Sequence, residues 1–447
     1  MAGVRILLVQ PKMTRRPMDS GLKAAMSPSL ALLTLNALTP QRHKVTIVNE
    51  NVARLDLDCH ADLVALTVTV DVFDRAVAIA RCFRRRGIPV VAGGIHISAA
   101  PDSAVPFFDA ICIGRAETTW QPLLEDVENG RLQRCYRDDP SNGTPISSPD
   151  YHIADSKRYI YPNVVTTSRG CPFRCDFCYN SAAGSTPYMR RPIADVLKDI
   201  ESVSRRHILF IDDNFIGNPE YTIRLLRQLT PYHLKWSAAV SANVVKRPDI
   251  LDLMADSGCQ SLFVGLETLR QPSLVAVHKT QNVPDQYATL VSELHHRGIM
   301  VNASIVFGLP GDGPGVFEAT LAWMVKHKVE TVTAHILTPY PGTVLHARMA
   351  AQGRIIDHDL SHYDTAHVVF QPDSMTPQQL QAGYQRFYRQ LYSFRNILAR
   401  LPDEPSRRRA YLLFTLGYRK FGRPTSALSR IVPLSWLGSL AARIAYR

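Results

Sequence analysis

Two stretches of this chain alternate short apolar, β-branched runs with longer segments of helical spacing, and this alternation restricts the fold more than any other feature. In the first stretch, residues 5–10, 44–49, 62–69, 89–92 and 110–113 read as strands, with helices predicted over 29–38, 73–86 and 118–127. Strands separated by helices at this spacing pair in parallel, so a doubly wound, Rossmann-like sheet is expected over residues 1–135. Such sheets bind ligands beyond the carboxyl ends of their strands. Here that edge comprises the loops near Pro11, Val70, Gly93 and Gly114.

Residues 136–160 are rich in Asp, Pro, Ser, Asn and Gly and read as a linker. A second alternation follows, with strands predicted at 164–168, 208–212, 234–241, 261–265, 301–307 and 331–337. Six βα units imply a partial (β/α)6 barrel over 161–372, with its chemistry on the loops at the strand C-terminal ends. From 373 to 447 helical periods dominate; Leu380, Tyr384, Phe387, Tyr388 and Leu391 form one apolar stripe. The whole is α/β, two domains and a helical appendage, as 447 residues suggest. No uncharged apolar run approaches the roughly 18 residues of a membrane span, and the first residues carry no signal-peptide pattern, so a cytoplasmic protein is expected.

The cysteines carry the chemistry. Cys59, Cys82, Cys112, Cys135 and Cys259 stand alone, whereas Cys171, Cys175 and Cys178 fall on one loop directly after a predicted strand. Three thiolates cannot close a four-ligand zinc site by themselves. A 4Fe-4S cluster held by three cysteines, by contrast, leaves one iron open to a ligand. Charge is also localised: of the net +12, residues 395–447 hold +9. So local a patch fits an anionic surface met by the C-terminal segment, not a nucleic-acid groove along the whole protein. From Arg407 onward arginines alternate with apolar residues such as Tyr411, Leu412, Ile431 and Trp436, the composition of an element lying on anionic lipid. A helical lid packed on the barrel, with solvated arginines, would have the same composition.

The run TTSRGCPFRCDFCYN and the following YMRRP resemble the radical S-adenosylmethionine (SAM) enzymes with an N-terminal cobalamin-binding domain. Further matches are GGIHISAAPD at 93–102, CIGRAETTW at 112–120, FIDDNFIGN at 210–218, VGLET at 264–268, FGLPGD at 307–312 and LTPYPGT at 337–343. The resemblance implies a 4Fe-4S cluster on Cys171, Cys175 and Cys178 as metal ligands and catalytic residues. It implies SAM on the open iron, cleaved after one-electron reduction to a 5'-deoxyadenosyl radical, and cobalamin as a third cofactor. Tyr179, Asp212, Asp213, Ser241, Glu267 and Gly308 are the expected SAM contacts; Gly93, Gly94, Gly114 and Glu117 are those for cobalamin. Plainer roles exist beside these. Asp212 or Asp213 would also serve as a helix N-cap, Ser241 and Glu267 as acceptors for backbone donors, and Gly308, Pro310 and Gly311 as a tight turn.

The implied reaction is methyl transfer to an unactivated carbon of a small-molecule metabolite or lipid, with electrons from a donor such as flavodoxin or ferredoxin and no nucleic-acid partner. Relatives that close rings or rearrange skeletons share the two domains. RNA methylthiotransferases carry a second three-cysteine cluster, which this chain lacks. Two departures stand out: Gly114-Arg115-Ala116-Glu117 replaces a common Gly-Glu-Gly-Glu, and Asp58-Cys59-His60 is only a fragment of the D-x-H-x-x-G signature that supplies a histidine to cobalt. His60 is therefore read as a surface residue, and His96 as a loop histidine whose hydrogen bonds are satisfied.

Overall fold

A computed structural model of the chain describes residues 3–14, 16, 25–153, 156–182, 187–203, 207–418 and 436, without the side chains at 406, 414, 417 and 418. The first sheet contains β1 (Arg5–Gln10), β2 (Lys44–Asn49), β3 (Leu63–Thr67), β4 (Val90–Gly93), β5 (Ala110–Ile113) and β6 (Cys135–Arg137). All pairings are parallel, in the order β2-β1-β3-β4-β5-β6. Five strands lie where the alternation predicts. The sixth straddles the expected boundary at 135, and only Tyr136 of its three residues is buried, so it carries little apolar signal.

Successive strand residues serve opposite faces. Leu7, Val9, Val64 and Leu66 belong to one core, whereas Ile6, Leu8, Leu63 and Ala65 belong to the other. A sheet covered by helices on both sides requires such unbroken apolar strands. The direction of winding reverses between β1 and β3, which makes the loops after these two strands the crevice of the sheet.

The second sheet contains β7 (Val164–Val165), β10 (His207–Phe210), β11 (Lys235–Ser241), β12 (Cys259–Glu267), β13 (Met300–Phe307) and β14 (Thr331–Ile336), parallel in the order β14-β13-β12-β11-β10-β7. The six predicted units are present as an open, partial barrel. The strand expected at 164–168 is cut short, however. Thr167 and Ser168 turn their amides and hydroxyls onto the Asp212 carboxylate. The chain then forms β8 (Ser168–Arg169), antiparallel to β9 (Met189–Arg190), and this hairpin brackets the cysteine loop.

After the barrel, the helix Pro377–Leu391 begins with a capping box between Thr376 and Gln379 and buries Leu380, Tyr384, Phe387 and Leu391, the stripe read from the sequence. It covers the free edge of β14. The Tyr388 hydroxyl bonds to both N–H and C=O of Ala334, and that of Tyr392 to both groups of Val332. Part of the basic C-terminal charge is consumed internally. Arg400 is fully buried, donating to the carbonyls of Val329, Glu330 and Leu391, and Arg407 donates to the His295 carbonyl. The remaining basic and apolar positions of that expectation, from Arg419 on, lie outside the described residues except Trp436, which is exposed. Among the described residues no helix is long and apolar enough to cross a membrane.

Candidate functional site

The carboxyl edge of the first sheet faces the mouth of the barrel, and four loops make the contact. After β1, the Arg16 guanidinium donates to Thr365 Oγ1 (3.1 Å). After β3, Val70 packs with Tyr363, Val369, Tyr179 and Tyr340. After β4, the Ala99 carbonyl presses so closely on Gly342 that a Cβ there would lie 2.1 Å from the oxygen; a backbone φ of +86° at that position adds a second reason for glycine. After β5, the buried Glu117 carboxylate accepts from Arg169 (2.9 Å) and from the Ser147 amide (3.2 Å). The seam between the two sheets is therefore continuous.

The cysteine loop opens onto this seam and is fastened from several sides. Gly170 N donates to Asp213 Oδ2 (3.0 Å), and the Ser181 hydroxyl bridges the carbonyls of Cys175 (2.8 Å) and Cys178 (2.7 Å). Asp176, buried between two of the cysteines, donates its N–H to Val277 and accepts at its carbonyl from Leu345. Its carboxylate takes His278 Nδ1 at 2.8 Å and Arg348 at 2.9 Å. A loop so anchored presents its thiols in a fixed arrangement.

Burial raises the pKa of all three thiols, that of Cys178 to about 12. Iron would bind them as thiolates, displacing protons that the protein otherwise retains. The charge of Cys175 is felt at both Cys171 and Cys178. Yet among the described residues no three His, Cys, Asp or Glu side chains are grouped to hold a single metal ion. Three thiols on one loop, with no fourth protein ligand beside them among the described residues, suit a cluster in which three irons each take one thiolate and one iron stays open. Beside the thiols lies the ion pair of Lys279 and Glu267 (2.5 Å). Burial works against the Lys279 charge, but Glu267 and the neighbouring cysteines outweigh it and hold the ammonium pKa above its ordinary value.

The residues expected at a SAM site divide into two groups. Tyr179 stacks on Tyr340 with ring centroids 4.5 Å apart, inside the seam. Asp213 and Glu267 lie against the cysteine loop through Gly170 and Lys279. Asp212 is fully occupied by Thr167 and Ser168, Ser241 bonds to Asn214 and Asn243, and Gly308 faces Leu380 and Phe370 while its N–H bonds to Asp312. The helix Pro219–Leu229 is capped by Asn218, so neither Asp212 nor Asp213 is its cap.

On the other side, a Cβ on Gly94 would strike the Val68 backbone and one on Gly114 the Asp138 side chain, so internal packing already accounts for both glycines. Gly93 accepts from the Val68 amide within the sheet. His60 is exposed, as expected. His96 departs from expectation: it is fully buried against Phe73, and neither ring nitrogen finds a partner among the described residues. Burial lowers its pKa to about 4 and keeps it neutral. Asp71 Oδ2 and the Tyr179 hydroxyl, both at the seam, are likewise buried without partners. Each such group costs on the order of 1–3 kcal/mol unless something pairs with it.

Sequence reasoning passed over Asp176, Lys279, Gln281 and Asp312. The last closes FGLPGD, accepting from the amides of Gly308 and Leu309 (both 3.1 Å), yet burial outweighs these donors and raises its carboxyl pKa to about 7. The unfolded chain releases this proton near 3.8, so the stabilisation due to the protonated form is complete below that pH and is lost as pH rises through 7. Between pH 5 and 7.5 the loss should be about 2.5 kcal/mol. Asp312→Asn should flatten that slope, measured as urea midpoints across the range, and should be the more stable protein at the upper end.

With the geometry in view, comparison with known proteins is informative. The radical SAM superfamily matches residues 165–324, and a domain of unknown function (DUF4070) matches 343–407. The chain is 28% identical over 415 residues to the bacteriochlorophyllide d C-12(1)-methyltransferase of Chlorobaculum tepidum, covering 89% of this chain and 90% of that protein. It is 29% identical over 380 residues to the hopanoid C-2 methylase of Rhodopseudomonas palustris, covering 79% and 72%. The structure of the radical SAM methyltransferase TsrM from Kitasatospora setae, with cobalamin and a 4Fe-4S cluster bound, shares the fold at a TM-score of 0.67 and 17% identity, over 99% of this chain and 100% of that one.

Proposed function

We propose that the chain, which carries the radical SAM domain, is a cobalamin-dependent C-methyltransferase acting on an unactivated carbon of an apolar, polycyclic small molecule. One observation carries the reading: the three-cysteine loop and the carboxyl edge of a doubly wound sheet open onto the same seam. The donor set of Cys171, Cys175 and Cys178 suits a 4Fe-4S cluster with one open iron. The unpaired groups at Asp71, His96 and Tyr179 suit a polar ligand such as a corrinoid and its amides. When bound, the cluster supplies the electron that cleaves SAM, and the corrinoid supplies the methyl group.

The chain contributes position and dryness. Val70, Tyr363, Val369 and the stacked pair Tyr179–Tyr340 form an apolar wall that keeps water from a reactive radical and offers surface to a flat apolar substrate. Asp176, held by His278 and Arg348, fixes the loop whose thiols must keep their spacing. Glu117 and Arg169 tie that loop to the first sheet, so that groups bound on either side of the seam meet in one register. The two named relatives act on bacteriochlorophyllide d and on a hopanoid, which supports an apolar polycycle as the substrate class.

The test is anaerobic turnover with SAM, cobalamin, a low-potential one-electron donor of the flavodoxin or ferredoxin type, and a bacteriochlorophyllide or a hopanoid as substrate. Methylation yields 5'-deoxyadenosine and S-adenosylhomocysteine together, with a product heavier by one CH2. Ring closure or rearrangement would yield 5'-deoxyadenosine without S-adenosylhomocysteine, and that result would overturn the methyltransferase reading. Contact with anionic lipid is part of the same proposal and rests on the charge of residues 419–447. Each arginine at an anionic surface contributes on the order of 1 kcal/mol. Full-length protein should therefore sediment with anionic vesicles in a salt-sensitive way, and a chain ending at Tyr418 should not.

A further inference from the structure

Three side chains outside the cysteine motif converge on its thiols. Gln281 Nε2 lies 3.7 Å from Cys175 Sγ. Lys279 is buried, with its ammonium 2.5 Å from Glu267 Oε1 and 5.9 Å from the ring centre of Phe177, which stands between two of the cysteines. Glu267 is placed there at a conformational cost: its φ is +66°, in the left-handed region, where the pairing of β12 with β13 also shifts register. Such backbone costs on non-glycine residues persist where the surroundings enforce them and gather at functional sites. Here the twist sends the carboxylate inward, to Lys279 and to the Ser304 hydroxyl (3.1 Å). The neighbouring Val277 and His278 bind Asp176, so the 277–281 segment and the cysteine loop form one unit.

The cysteine loop is also fastened by groups other than these three, through Asp213, Ser181 and Asp176. A buried cation, a buried anion and an amide donor beside sulfur ligands are, however, what adjusts the potential of an iron-sulfur centre. We propose that Lys279, Glu267 and Gln281 set the reduction potential of the cluster on Cys171, Cys175 and Cys178. Lys279 and Gln281 favour the reduced form, and Glu267 opposes it. Reduction adds one electron from an external low-potential donor and one unit of negative charge to the cluster, with no bond made or broken, so the effect is electrostatic. The inference rests on the cluster assignment made above.

The test uses the full chain reconstituted anaerobically with iron and sulfide, without SAM, and titrated potentiometrically while the reduced cluster is followed by electron paramagnetic resonance. Lys279→Met and Gln281→Leu should each lower the ratio of reduced to oxidised cluster at a fixed potential about tenfold, a shift of about 59 mV for a one-electron couple. Glu267→Gln should raise that ratio by a similar factor, and Lys279→Met/Glu267→Gln together should return it near wild type. Opposite signs at the two members of one ion pair are not what a general loosening of the site would give. If Lys279→Met does not fold, the double variant and Gln281→Leu still decide the matter. Normal iron content with coincident midpoints, or shifts of one sign for Lys279→Met and Glu267→Gln, overturns the inference. A wild-type protein that takes up no cluster overturns the functional reading instead.

Discussion

Alanine at Cys171, Cys175 or Cys178 should abolish SAM cleavage completely and strip most of the iron from the reconstituted protein, whereas alanine at Cys135 or Cys259 should do neither. The difference follows from placement. Each of the first three supplies one thiolate to the loop at the seam, and a cluster missing one protein ligand exposes a second iron to solvent and to loss. Cys135 is exposed on the edge strand of the first sheet, and Cys259 is buried at the start of β12 with its pKa raised well above the ordinary value by burial. Neither lies on that loop. Cys259→Ala removes buried volume and should cost on the order of 1 kcal/mol or more of stability while leaving iron uptake intact. Iron and sulfide analysis beside 5'-deoxyadenosine formation would check both halves, and cleavage retained in any one of the three variants would refute the assignment.

Arg115→Ala should be among the most destabilising single substitutions outside the core, at about 3–5 kcal/mol. Its guanidinium is fully buried and forms a two-pronged pair with Asp138 (2.7 and 2.9 Å), and it also donates to the Thr144 carbonyl (2.8 Å). Burial works against the charge of Asp138, but Arg115 and Thr118 outweigh it and hold the carboxyl below its ordinary pKa. Removing the arginine therefore leaves a buried carboxylate without its countercharge, held by the Thr118 hydroxyl, and deprives the Thr144 carbonyl of its donor. Arg115→Lys keeps the charge but cannot span the same three acceptors, and should recover only part of the loss. Chemical denaturation of the two variants against wild type would show the effect, and a loss under 1 kcal/mol for Arg115→Ala would refute it. The residue that departs from the family pattern at Gly114-Arg115-Ala116-Glu117 thus has a local task, holding the segment after β6 against the first sheet.

The strand-helix alternation was readable in the first sheet because its central strands are covered on both faces, which leaves continuous apolar runs, and in the second because β10 and β11 bury every other residue. Two strands were obscured for different reasons. β6 has only one buried side chain, and β7 ends early because a carboxylate from 45 residues downstream captures the amide of Thr167. Cys171, Cys175 and Cys178 were legible because they fall close together on one loop. Lys279 and Gln281 were not, since the contact between Gln281 and Cys175 spans 106 positions and no local pattern records it. The sequence shows the glutamates at 117 and 267 without showing what they meet. Their partners, Arg169 and Lys279, follow only from the fold.

The hydroxyls of Tyr388 and Tyr392 take the place of a neighbouring strand along β14. An uncovered edge strand invites pairing with another chain, and this one leads into the LTPYPGT loop at the seam. A protein shortened to end between Ala351 and Pro377 would keep all of its cysteines and both sheets, yet expose that edge. Efforts to trim the chain for expression or crystallisation should therefore retain the helix Pro377–Leu391 and Tyr392 as part of the barrel.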